Sequence, residues 1–172
     1  MTDPMDSLIG LQDALDAGRV GLQEFQVGAL HPEVRLYHDI PAPGAMRLTY
    51  AVFEPASAIV RHSTSRVRAV SLFVRADDFE GLPVFQAGIA VAQHARSQGI
   101  GTKLFQQSLE ELRNGLGRTP IKEFWIEAIV RQDNDHSNRI ASRVLNAQPK
   151  RIVDGVSKEP ALQYFLKVHG GA

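Results

Sequence analysis

The stretch VFQAGIAVAQHARSQGIGTKLFQQSLEEL, residues 84–112, decides the fold. Its opening run is apolar except at Gln86 and Gly88 and is too short for an independent helix, so it reads as a buried strand. Further on, Leu104, Phe105, Leu109, Leu112 and Leu116 recur at three- and four-residue spacing and line one face of a helix. Lys103, Gln106, Gln107, Glu110 and Glu111 take the other face. Between strand and helix stands Arg96-Ser97-Gln98-Gly99-Ile100-Gly101. A helix N-terminus leaves backbone N–H groups unpaired and carries about half a positive charge, so phosphates settle there. Gly99 and Gly101 remove side chains that would hold an anion off those amides, and Arg96 adds a charge able to fork onto phosphate oxygens. Two familiar phosphate loops fail. The order Gly101-Thr102-Lys103 is wrong for a P-loop, and Leu104 stands where a dinucleotide fingerprint needs its third glycine.

Outward from this unit, the chain of 172 residues suits one domain, divided here as an N-terminal segment 1–45 and a core 46–172. Its 44% hydrophobic content suffices for a core, and no apolar run reaches the roughly 18 residues of a membrane span. The first ten residues carry no secretory signal pattern. Zero cysteines exclude disulfides, thiolate catalysis and cysteine-ligated zinc. Nineteen basic residues balance nineteen acidic ones, which argues against a nucleic-acid partner, and the six histidines form no metal-binding spacing. A cytoplasmic protein is expected, with no membrane association and no metal.

Residues 5–29 read as helical, with Leu8, Ile9, Leu11, Leu15 and Val20 as an apolar face, Asp6 or Ser7 as cap and Gly18 as a break. A second short helix over 22–30 fits as well. Prolines 32, 41 and 43 frame a strand over 34–40. Residues 47–54 alternate and read as a half-buried antiparallel strand. Residues 55–66 are a loop or hold a strand at 58–60. Residues 67–76 form another strand, and 77–83 a turn leading into the strand at 84. The helix ends near Asn114-Gly115. Residues 124–130 are apolar on both faces except at Glu127, as in a central parallel strand. A helix then opens near 131–138 and runs to about Leu145, and strands at 151–154 and 161–168 close the chain.

The segment Val91-Ala92-Gln93-His94-Ala95-Arg96-Ser97-Gln98-Gly99-Ile100-Gly101 resembles the phosphate-binding motif V-x-x-x-x-R-x-x-G-x-G/A of the GCN5-related N-acetyltransferase family. The family usually has glycine where Ser97 stands. The resemblance covers residues 46–168. It implies an α/β fold of α+β type: a mixed, mostly antiparallel sheet with a central parallel strand-helix-strand unit and flanking helices. It further implies acetyl-CoA as co-substrate, its pyrophosphate on Arg96, Ser97, Gln98, Gly99, Ile100, Gly101 and Thr102. The pantetheine would run along Ile89, Ala90 and Val91, where the central strands splay. The family's asparagine near the following helix matches Asn134 in one register and Asn138 in another. Its frequent tyrosine on that helix is absent, Ala141 or Leu145 standing there, as is the Gly-Phe that follows, near which Gln148-Pro149-Lys150 stands.

The reaction so implied moves an acetyl group to a primary amine by direct attack. An alkyl ammonium has a pKa of about 10 and must lose a proton first. Glu127 is the candidate catalytic base, the one acid in an otherwise apolar strand, where desolvation favours its protonated form. The alternative is a structural Glu127, at a sheet edge or paired with an arginine. Tyr164, Ser137 and Ser142 are candidates for protonating the thiolate. His94 reads as an exposed loop residue over a ligand contact, His136 as a cap or a residue facing the pocket, and Trp125 as core over a binding residue. The acceptor, a small-molecule or peptide amine, is open, and a homodimer is possible. The competing readings are a non-catalytic acyl-CoA-binding or regulatory module of the same fold and an unrelated nucleotide binder.

Overall fold

The computed structural model describes residues 3–55 and 66–170. Helix α1 (Pro4–Asp16) is followed by strands β1 (Gln26–Val27), β2 (Arg35–Asp39), β3 (Arg47–Phe53), β4 (Val67–Phe79) and β5 (Leu82–Val91). Then come α2 (Ile100–Gly117), β6 (Glu123–Arg131), α3 (Asp135–Leu145), β7 (Lys150–Val153) and β8 (Pro160–His169). The eight strands form one sheet in the order β1-β2-β3-β4-β5-β6-β8-β7. Every neighbouring pair is antiparallel except β5 and β6, which run parallel because α2 carries the chain back between them. The expected mixed sheet with its central strand-helix-strand unit is thus present. The N-terminal segment contributes β1 and β2 to that sheet.

Alternation along β4 shows how the layers form. Ala69 and Phe73 pack with Leu104, Phe105 and Leu112 of α2 on one face. Val70 and Leu72 pack with Leu8, Leu11 and Leu15 of α1 on the other. This two-sided cover corrects the half-buried reading of 47–54: Thr49, Tyr50 and Ala51 are all buried.

Other boundaries differ for local reasons. The α1 cap is Asp3, whose carboxylate accepts from Met5 N at 2.7 Å with Pro4 in the first turn, rather than Asp6 or Ser7. Ile9 falls outside the buried stripe and is 50% exposed. After the break at Gly18, residues 22–30 hold only a short 3-10 turn (Leu22–Glu24) and β1. The expected turn at 77–83 shrinks to Glu80-Gly81, with φ of 51° and 73°, because β4 continues to Phe79. Helix α2 runs past Asn114-Gly115 to Gly117. Gln107 and Glu111 are buried rather than solvated, since the loop at 28–33 packs on that side of the helix. On β6, Phe124, Ile126 and Ala128 are buried while Trp125, Glu127 and Ile129 are half-buried, because α1 covers β4 and β5 but stops short of that strand. The alternative strand at 58–60 lies outside the described residues.

Candidate functional site

Strands β5 and β6 pair at Val84–Trp125, Phe85–Ile126 and Gln86–Glu127, and no further. Both strands continue, β5 to Val91 and β6 to Arg131, so they part beyond that last rung. The parting opens a cavity of about 620 Å³. Ala87 to Val91 form one wall, Ala128 to Arg131 the other, and Arg96, Ser97, Asn134, His136 and Ser137 surround the end where the strands are furthest apart. Asp3, Pro4 and Met5 of the α1 start also line it, which no local sequence signal announces because the contact spans more than eighty positions.

The turn after β5 leads into the uncapped end of α2. No side chain caps this helix, and its first turn holds no acid. Gly99 stands in the left-handed region at φ 71°, with open space where a Cβ would be. Ser97 has φ 61°, a conformation glycine takes without strain, which explains why the resembled motif carries glycine there. Arg96 lines the cavity, and its Nε donates to Val91 O at 3.3 Å. Gln98 turns aside: its amide oxygen accepts from Arg68 at 2.6 Å and its nitrogen donates to His94 O at 3.4 Å. Gly101 also permits close packing. A Cβ there would stand 3.1 Å from Val91 Cγ2 and 3.2 Å from Ile140 Cδ1, so this glycine lets α2 sit close against β5 and α3.

Of the two asparagines, Asn134 caps α3, its Oδ1 accepting from Ser137 N at 3.1 Å, and lines the cavity. Asn138 points elsewhere, donating to Arg131 O at 3.0 Å and accepting from the Tyr164 hydroxyl at 3.2 Å. His136 is therefore no cap; it borders the cavity. Tyr164 is 2% exposed and donates only to Asn138, and burial pushes its phenol above the ordinary value. Among the three hydroxyls considered for the thiolate, Ser137 alone lines the cavity. His94 is exposed as expected, in the turn at Gln93–Ala95, and its ring meets Glu54 at 3.1 Å.

Glu127 lies at the root of the parting, on the face opposite α2. Its surroundings are not apolar. Gln86 Nε2 donates to one carboxylate oxygen at 2.9 Å and Gln163 Nε2 to the other at 2.5 Å. It borders an adjoining groove of about 550 Å³, not the main cavity, although its neighbour Ala128 lines the latter. No arginine pairs with it among the described residues. Trp125 also departs from plain core: it is half-buried and stacks at 4.8 Å on Phe165, which borders the groove. Among the described residues, no cluster of three histidine or acidic side chains is placed to hold a metal, and no helix is long and apolar enough to cross a membrane.

No family model and no curated protein matches the chain. Solved structures do. The NatC complex bound to Gag peptide and CoA matches with TM-score 0.53 and 15% identity, over 70% of this chain and 70% of that one. Arabidopsis thaliana NAA60 in complex with a bisubstrate analogue matches with TM-score 0.52 and 9% identity, over 72% and 77%. A spermidine N-acetyltransferase SpeG chimera from Vibrio cholerae and hSSAT matches with TM-score 0.50 and 10% identity, over 70% and 66%. The likeness is one of fold, and the fold is that of the GCN5-related N-acetyltransferases.

Proposed function

We propose that the protein is an acetyl-CoA-dependent N-acetyltransferase acting on a primary amine. One observation carries this reading: the cavity between the parting strands reaches Arg96 and Ser97, in the turn that leads into the uncapped, acid-free N-terminus of α2. Backbone amides aimed at open space with a guanidinium alongside suit a pyrophosphate. Arg96, Ser97, Gly99, Ile100, Gly101 and Thr102 supply that cradle, with Gln98 bracing its back through Arg68. Along Ile89, Ala90 and Val91 the edge of β5 no longer paired to β6 suits an extended amide-bearing arm, with Val91 O already accepting from Arg96 Nε. Asn134 fits the role of the motif asparagine better than Asn138, since it faces the cavity. The first 45 residues form one domain with the remainder, and their start, Asp3 to Met5, walls the main cavity.

Glu127 acts as the base. Two glutamine amides fix its carboxylate at the root of the gap, and it takes a proton from the incoming ammonium, directly or through water. The freed nitrogen attacks the thioester carbonyl, the carbon–sulfur bond breaks, and the nitrogen's second proton passes through water to the leaving CoA thiolate. The same two amides also favour a second reading, in which Glu127 is a structural element of a non-catalytic acyl-CoA-binding module.

Thermal unfolding with acetyl-CoA, CoA, ATP and NADH in separate samples tests the binding. A ligand at 100 times its dissociation constant stabilises by about 2.7 kcal/mol, a midpoint rise of several degrees. Flat responses to both acetyl-CoA and CoA would sink the proposal. Glu127→Gln should keep the acetyl-CoA shift and lower the rate of CoA release by about 10²–10⁴-fold. Binding without turnover of any amine in the wild type would select the second reading.

A further inference from the structure

The groove beside Glu127 has a composition that the acetyltransferase reading alone does not require. Its floor follows from strand register. On this face of β6, Glu127 stands opposite Gln86 of β5 and Phe165 of β8, with Trp125 two residues away. The rings of Trp125 and Phe165 stack at 4.8 Å and 15°. Phe79, from the end of β4, sets its ring edge-on to both, 5.0 Å from Phe165 and 5.6 Å from Trp125. This third ring is 45% exposed, an open apolar surface beside a carboxylate. Around the rim stand Asp77, Asp78 and Glu127 against Lys150, and Asp78 is already paired with Arg75. On the same face, the start of α1 lines the main cavity beside Gly88 and Ala90, whereas Glu127 borders the groove.

We propose that this groove is the acceptor subsite and that it selects a primary amine carried on an aromatic or apolar body while rejecting one with a carboxylate beside the nitrogen. Aromatic faces attract an ammonium and bury its apolar carrier, whereas the acidic rim repels a second negative charge. The ammonium yields one proton to Glu127, nitrogen bonds to the acetyl carbon, the carbon–sulfur bond breaks, and the nitrogen's second proton passes through water to the departing thiolate. The inference rests on the acetyltransferase reading above.

The test follows CoA release at saturating acetyl-CoA with phenethylamine and with L-phenylalanine, which differ by one carboxylate. Phenethylamine should be preferred by more than about tenfold in kcat/KM. Phe79→Ala should raise the KM for phenethylamine roughly three- to tenfold, leave kcat within about twofold, and leave the KM for ethylamine unmoved. Asp77→Asn, an exposed change, should weaken the discrimination against L-phenylalanine about threefold. Equal use of the two substrates, or a Phe79→Ala enzyme with both KM values unchanged, would overturn the assignment. If acetyl-CoA shifts the melting midpoint and other amines are acetylated but phenethylamine is not, only the subsite falls. If acetyl-CoA produces no shift, the acetyltransferase reading falls and takes the subsite with it.

Discussion

The chain gathers backbone N–H groups at two places and treats them in opposite ways. In the loop before β2, the amides of Ala29, Leu30 and His31 converge on the carboxylate of Glu111 at 3.0, 2.7 and 2.7 Å. Gly28 makes room, since a Cβ there would stand 2.4 Å from His31 O and 2.7 Å from Glu111 Oε1. Around this centre His31 meets Glu110 at 2.6 Å, and Gln107 donates to Glu33 at 2.7 Å, which holds the Glu33 carboxyl below its usual range. At the start of α2, by contrast, no acid stands in the first turn and the nearby charge is Arg96. The first cluster contains its own anion and becomes a clamp that ties the N-terminal segment to α2. The second is made of the same groups and awaits an anion from outside. What separates a structural joint from a ligand cradle is therefore the charge the chain places nearby, not the amides.

Three substitutions break or sharpen this contrast. The largest effect belongs to Glu111→Ala, which leaves three partly buried amides without their acceptor. It should destabilise the protein by about 2–4 kcal/mol and lower the melting midpoint by roughly 5–15 °C. The acetyl-CoA shift should persist; a midpoint within a degree or two of wild type would mean the clamp carries no weight. Next comes Gly99→Asp, which supplies the second cluster with an internal anion. The acetyl-CoA shift should vanish while the unliganded midpoint moves only a few degrees, because left-handed strain of about 1–2 kcal/mol is partly offset by the helix dipole. A retained shift would locate the phosphates elsewhere. The smallest effect is expected of Ser97→Gly, where relief of the positive φ should raise the midpoint by roughly 2–4 °C. No rise would show that the serine is unstrained.

Legibility in the sequence followed the range of the interactions. The strand, turn and helix of 84–112 were readable because periodicity and glycine placement are local, and the same held for β6, α3, β7 and β8 to within a few residues. The polar face of α2 was misread at Gln107 and Glu111 because their partners lie more than seventy positions earlier. Gly101 looked like part of an anion loop, and only the approach of Val91 and Ile140 reveals its packing role. The choice between Asn134 and Asn138 was similarly closed to one dimension, since it depends on which side of α3 meets the cavity. Glu127 stood out as an acid in an apolar run, yet its two glutamine partners come from strands on either side and left no mark on its own segment.

The sequence by itself determined the order of elements, the parallel crossover and the glycine turn that opens α2, because hydrophobic period, turn chemistry and helix-end electrostatics act over a few residues. The tertiary structure alone decided where β5 and β6 stop pairing, which helix face is buried by a distant loop, and which aromatic rings gather beside Glu127. Those features arise from strand register and layer packing, which bring together residues far apart in the chain.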